Sequence, residues 1–341
     1  MRRAVQVLVA VVLWVRTPCS AQGSPLFRLG TGEGASDEIF THLSAVVIDS
    51  HQRVIVLDGG EHHLVVFSRD GRRSQYLGRL GGGPGEFQAP SAMTITGSGL
   101  IVVVDPAASR LTVFDASQAD SVRYQGSWAI PVRGTELCAA GSRLFVLADG
   151  GQQMIHEFRV DRAGASIVRS FATPLSRRPS GSDPRVRMLT AQGPLACSPG
   201  GDRIAFASLQ LGELRVFDGA GKELLYSMLI PFRSIGLALD GPRVTYVWPK
   251  EGFVNQVVAL LVNDNGEVVV NSVAVQRGPD GSRTGDYEFR TLGPLGAVVN
   301  TSPAHSRLVA VSSSRMACVR DDPAPELLVY ERTGAGGRLC P

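Results

Sequence analysis

The sequence predicts an all-β fold built from repeats, and three observations carry that prediction. The first is the stretch 99–115, GLIVVVDPAASRLTVFD, in which two apolar runs flank a short polar loop and a turn follows. Residues 100–104 are dense in β-branched side chains, the composition of a strand covered on both faces, and residues 111–114 make a second short strand. The second observation is recurrence. Val54, Ile101, Leu144, Ile204, Val244 and Leu308 open the first run of comparable units, and Arg53, Arg143, Arg203, Arg243 and Arg307 precede five of them. The second run recurs too, ending at Phe67, Phe114, Phe158, Phe217, Val262 and Tyr330, with turn formers such as RDGR, DASQ, DGAG and DNGE after it. The third observation is that helical periodicity is missing beyond the first twenty residues. A lone hairpin is marginally stable in water, so such units must stack on one another. Units of four short antiparallel strands, recurring six times, make a six-bladed β-propeller.

Blades one and two carry a more specific signature. Residues 79–115, RLGGGPGEFQAPSAMTITGSGLIVVVDPAASRLTVFD, resemble the NHL-repeat propellers through Gly83, Pro84, Gly85, Phe87, Pro90, Asp105, Arg110 and Phe114. Later units lack the Gly-Pro-Gly-x-Phe element, and there the assignment rests on strand recurrence. The resemblance implies a fold, and the fold hosts many unrelated functions. Arg28-Leu29-Gly30 repeats Arg79-Leu80-Gly81, so residues 26–30 are expected to supply an outermost strand that closes the ring in blade six and removes an open sheet edge. The expected blades are 43–87, 88–136, 137–192, 193–235, 236–293 and 294–341, within one propeller domain spanning 22–341.

Taken in order, residues 1–21 read as a secretory signal peptide: Arg2 and Arg3 precede a short apolar stretch and a small-residue site ending at Ala21. The apolar stretch is too short for a membrane span, and Arg16-Thr17-Pro18 does not supply the small-residue box of a lipoprotein. Removing Arg2, Arg3 and Arg16 from the 34 basic residues leaves them level with the 31 acidic ones, so charge gives no argument for nucleic acid. Only Lys222 and Lys250 are lysines, which points to a GC-rich bacterial genome. Together these features predict a periplasmic or secreted protein.

Cys138, Cys197, Cys318 and Cys340 remain after cleavage, an even count that favours disulfides in an oxidising compartment. Cys318 and Cys340 flank the strand of residues 327–330 and are expected to pair. Cys138 and Cys197 occupy similar places on the inner strands of adjacent blades, and a bridge or two buried thiols both suit them.

Loops from second to third strand and linkers between blades emerge on one propeller face, where function is expected to sit. The longest expected loops there are 173–192 and 277–288. Arg177, Arg178, Arg185, Arg187, Trp248, Lys250, Arg277 and Arg283 form a candidate basic and aromatic constellation: arginine forks suit carboxylates and phosphates, and tryptophan offers a flat apolar face. The alternative is solvated loop arginines balanced by nearby acids, with Trp248 packing between blades. His42, His62 and His63 are a candidate metal set near the channel mouth, because three imidazoles with an open position suit catalytic zinc, and some propellers similar to NHL proteins are metal-dependent lyases. Against this, neighbouring His62 and His63 point to opposite faces of an extended chain. The glycines of GRLGGGPGEF precede no helix, which excludes a dinucleotide fold, and no Gly-x-Ser-x-Gly elbow occurs. The sequence therefore favours an exported non-catalytic scaffold, monomeric, with a protein, peptide or glycan partner on the long-loop face, no catalytic residue and no cofactor. A metal-dependent lyase or hydrolase with an ion in the channel near His42 is the competing class.

Overall fold

Apolar runs of mostly five to seven residues, bounded by turns, pair antiparallel with their sequence neighbours into four-stranded sheets. The computed structural model describes residues 24–31, 39–149, 151–161, 164–174, 183, 186, 191–241, 243–250, 252–278, 281–321, 325–332 and 339–340. The expected signal peptide lies outside them. After β1 (Phe27–Leu29), blade one comprises β2 (Leu43–Ile48), β3 (Val54–Asp58), β4 (His63–Phe67) and β5 (Arg73–Leu77). Blade two comprises β6 (Ala92–Ile95), β7 (Leu100–Asp105), β8 (Arg110–Asp115) and β9 (Arg123–Ala129), and blade three β10 (Arg133–Ala140), β11 (Arg143–Asp149), β12 (Ile155–Asp161) and β13 (Gly164–Phe171). Blade four holds β14 (Leu195–Cys197), β15 (Arg203–Ala207), β16 (Glu213–Asp218) and β17 (Glu223–Met228). A separate hairpin of β18 (Gly236–Asp240) and β19 (Arg243–Val247) precedes blade five, which is β20 (Val254–Val262), β21 (Val268–Gly278), β22 (Gly281–Leu292) and β23 (Val298–Ala304). Blade six is β24 (Arg307–Val311), β25 (Arg315–Arg320) and β26 (Glu326–Glu331), completed by β1.

The innermost strands β2, β6, β10, β14, β20 and β24 touch in turn, and β24 returns to β2, so the ring is closed. Closure follows the expected route: Phe27, Arg28 and Leu29 pair with Val329, Leu328 and Leu327. Six apolar wedges fill the gaps between neighbouring blades, including that between blades six and one, where Leu29, Val54, Phe67, Val319 and Leu327 meet. Each fully buried aliphatic side chain in these wedges contributes about 1.5–3 kcal/mol.

The signature residues of blade two explain its linker. Asp105, fully buried at the end of β7, accepts the backbone N–H groups of Gln88, Ala89 and Ala108. Asp58 does the same in blade one for Thr41, His42, Gly60 and Glu61. Phe87 packs on Phe114 with ring centroids 6.2 Å apart, and it fits because Gly78 (φ +91) leaves room: a Cβ there would lie 2.5 Å from the Phe87 ring. Strand-opening arginines tie blades together. Arg53 reaches the Ala116 and Ala119 carbonyls of blade two, and Arg143 those of Gly201 and Gly219 in blade four.

The repeat alignment needs correction in the last two blades. Val244 lies in the inserted hairpin, Val262 on the innermost strand of blade five and Leu308 on the innermost strand of blade six. The strand equivalent to β3 and β7 is β21 in blade five and β25, opened by Arg315, in blade six. One inserted hairpin of ordinary strand composition shifted the count. Residues 277–278 and 281–288, expected within a loop, belong to the paired extension of β21 and β22, with Gly278 opposite Gly281. The alternation of Tyr287, Glu288, Phe289 and Arg290 along β22 is strand chemistry carried on charged residues. Both cysteine pairs are disulfides: Cys318–Cys340 within blade six, and Cys138–Cys197 between the inner strands of blades three and four.

Candidate functional site

Blade five is longer than its neighbour, and that difference makes a cleft. β21 and β22 have 11 and 12 residues, whereas β15 and β16 of blade four have 5 and 6. Near their shared end, Val268, Val270 and Leu292 pack on Ala205, Leu214 and Val216 of blade four. Further along the same sheet face, Ser272, Ala274, Gln276, Glu288 and Arg290 line a cleft of about 730 Å³. Pro231 and Phe232 from the linker after blade four, with Phe253, form its apolar wall, and Arg233 of the same linker also lines it. Antiparallel alternation puts this end of blade five on the face that carries the linkers. The linker is pinned to β20 by two hydrogen bonds: the Arg233 N–H donates to Asn255 Oδ1 and the Asn255 N–H to the Arg233 carbonyl, both at 2.8 Å.

The cleft floor carries unusual chemistry for a sheet face between blades. Arg290 stands between Val270 and Thr301 across the strands and is only 6% exposed. Its Nε donates to the Glu288 carboxylate, and its Nη1, also buried, has no hydrogen-bond partner among the described residues. An N–H buried without an acceptor costs about 1–3 kcal/mol, so a position filled more stably by an aliphatic residue asks for an explanation. The rim adds Arg233, whose guanidinium lies over Gly252: a Cβ there would come within 2.5 Å of its Nη1. Asp286 and His305 complete the polar lining. Tyr287, on the cleft edge, donates its hydroxyl to Asp321 Oδ2 at 3.0 Å, and burial and that carboxylate raise its pKa above the ordinary tyrosine value. Such an arrangement of apolar walls with a few convergent polar groups is what ligand sites are made of.

A second polar feature lies on the channel-side strands. Glu136 sits beside a bulge in β10, the innermost strand of blade three, and burial pushes its pKa up to about 8 against the opposing charge of Arg307 on β24. Arg307 in turn lies 3.7 Å from Asp321.

Of the residues singled out from sequence, only some fall among the described residues. Arg177, Arg178, Arg185 and Arg187 lie outside the described residues. Trp248 is half-buried against the wedge between blades five and six, and Lys250 is exposed. Arg277 and Arg283 belong to the paired β21–β22 extension, and their side chains lie outside the described part. The histidines stay in blade one: the His42 N–H is held by Asp58, and the His63 ring meets Tyr76 edge-on at 5.0 Å. Among the described residues no three His, Cys, Asp or Glu side chains are placed to hold a metal ion. Arg290, Glu288, Asn255 and Arg233 were missed. The available signal, for Glu288 and Arg290, was charge inside a strand alternation, with Arg290 opposite Val270 of the neighbouring strand; Asn255 and Arg233 carried none.

Comparison with known proteins adds the fold. A family described as a 6-bladed beta-propeller (DUF5128) matches residues 35–138. This is a six-bladed β-propeller. Among solved structures the chain is similar to a member of the duf4221 family from Bacteroides vulgatus, at 8% identity and a TM-score of 0.55, covering 86% of this chain and 94% of that one. It is also similar to hydrazine synthase of Kuenenia stuttgartiensis, at 11% identity and a TM-score of 0.50, covering 83% of this propeller and 79% of that chain. Identities this low establish common architecture alone. No curated protein matches. Among the described residues of the propeller, no helix is long and apolar enough to cross a membrane.

Proposed function

We propose that the protein is an exported, NHL-like propeller that serves as a non-catalytic binding scaffold, taking a ligand or protein partner on the face that carries the interblade linkers. The observation that supports this reading most directly is the blade-five cleft, a recess of about 730 Å³ whose walls are apolar and whose floor holds a buried guanidinium with an open N–H. Export is supported by the two disulfides and by the N-terminal sequence of basic residues, apolar run and small-residue site.

The test is thermal melting of the exported chain against a panel of oligosaccharides, short peptides and small organic acids, alongside Thr301→Trp. Thr301 is exposed on β23 and lines the cleft, so tryptophan there fills the space without touching the core. A panel compound present at 100 times its Kd adds about 2.7 kcal/mol to stability. A shift in wild type that vanishes in Thr301→Trp is the expected result. No shift from any compound, or shifts of equal size in both proteins, would place the binding site elsewhere.

A further inference from the structure

We infer that the blade-five cleft receives a carboxylate carried on an apolar body, with Arg290 as the group that takes the carboxylate; this deepens the binding reading and rests on it. Three features of the site lead there. Arg290 is buried and has committed one edge, Nε, to Glu288, which leaves Nη1 as an unsatisfied donor. The guanidinium plane presents donors in a fixed fork, and a carboxylate is the acceptor that matches it best. Glu288 is thereby occupied and does not repel the incoming anion as a lone carboxylate would. A second guanidinium, that of Arg233, lies at the rim over Gly252, and any side chain at that glycine would displace it. An anion crossing the rim therefore meets one arginine on entry and another at the floor. Phe232, Phe253, Pro231 and Pro303 offer apolar surface around that path, which selects for an apolar body behind the charged head.

The position is poorly explained by stability alone. Replacing a buried ion pair with well-packed apolar residues is often neutral or stabilising, and the rows next to Arg290 carry Val268, Val270 and Leu292. A ligand carboxylate supplies the missing acceptor, so the unsatisfied N–H is relieved only in the bound state. Both a free organic acid and the C-terminal end of a short apolar peptide carry this chemistry.

The experiment is isothermal titration of the full exported chain with 3-phenylpropionate and its amide, and with a leucine-terminated tripeptide as free acid and as amide. The acid is expected to bind at least ten-fold more tightly than the matching amide, and whichever acid binds more tightly identifies the source. Arg290→Met paired with Glu288→Gln removes the charge pair as a unit and is expected to erase the acid-over-amide preference while the melting temperature holds or rises. Arg233→Gln, at the rim, is expected to weaken acid binding several-fold with the preference retained. Equal affinity for acid and amide, binding of neither acid, or an unchanged preference in the double variant overturns the inference. If a panel compound still shifts wild type and not Thr301→Trp, the scaffold reading stands while the carboxylate does not.

Discussion

Glu136 shows what a single residue in the ring does to stability. Its folded pKa of about 8 lies above the ordinary 4.5, and burial is the cause, opposed by Arg307. Below pH 4.5 the folded and unfolded chains both hold the proton, and the full stability is present. As pH rises from 4.5 to about 8 the unfolded chain ionises while the folded one does not, so stability is lost through that window and stays lost above it. At 1.36 kcal/mol per pH unit the ceiling is about 5 kcal/mol, and water reaching the half-buried side chain lowers the loss to about a third of that, ~1–2 kcal/mol. Glu136→Gln is therefore expected to flatten the melting temperature between mildly acid and mildly alkaline pH and to raise it by about 2–4 °C above pH 8. Melting curves across pH check this; a variant whose slope matches wild type would mean that Glu136 ionises freely in the folded protein.

At the scale of elements, the linker between blades one and two is the best-specified part of the chain. Asp105 is the acceptor of three backbone N–H groups that belong to two different segments, so it holds the linker and the β7–β8 loop in one position. Asp105→Ala leaves those donors buried and is expected to cost on the order of 3 kcal/mol, read by denaturant unfolding. This is also where the sequence was most legible. Asp58 and Asp105, Phe67 and Phe114, and Arg53 recur because each does the same mechanical job in its blade, and repetition makes such jobs visible without coordinates. Blade five was opaque for the opposite reason. The hairpin of β18 and β19 has the same composition as a blade strand pair, and the β21–β22 extension carries Glu288 and Arg290 where its packing neighbours are apolar. A residue that serves a cleft departs from the pattern that reveals the fold, so Arg290 could be found only after Val270 and Thr301 were seen beside it. The Arg177 to Arg187 group drew notice as a dense run of charge, a property that by itself says little about geometry.

At the scale of the whole molecule, covalent and noncovalent ties divide the work. Cys138–Cys197 joins the inner strands of blades three and four, and Cys318–Cys340 fastens the C-terminal end back onto β25. Cys340→Ser is expected to lower stability by about 2–4 kcal/mol, with one reactive thiol, that of Cys318, appearing on titration of the unfolded, unreduced chain. A melting temperature equal to that of wild type would show that blade six holds its end without the bridge.

The pairing of β1 with β26 has a consequence for how the chain comes into being. Arg28 and Glu326, joined by a hydrogen bond, stand 298 positions apart. Blades one to five draw their strands from contiguous sequence and can assemble as they emerge, but β1 finds no partner until β26 has been made. Without β26 the β24–β2 contact can still form, but β1 has no partner, the edge of β25 is bare, and the wedge between blades six and one lacks Leu327 and Val329, a flaw that an edge-seeking chain or a protease can exploit.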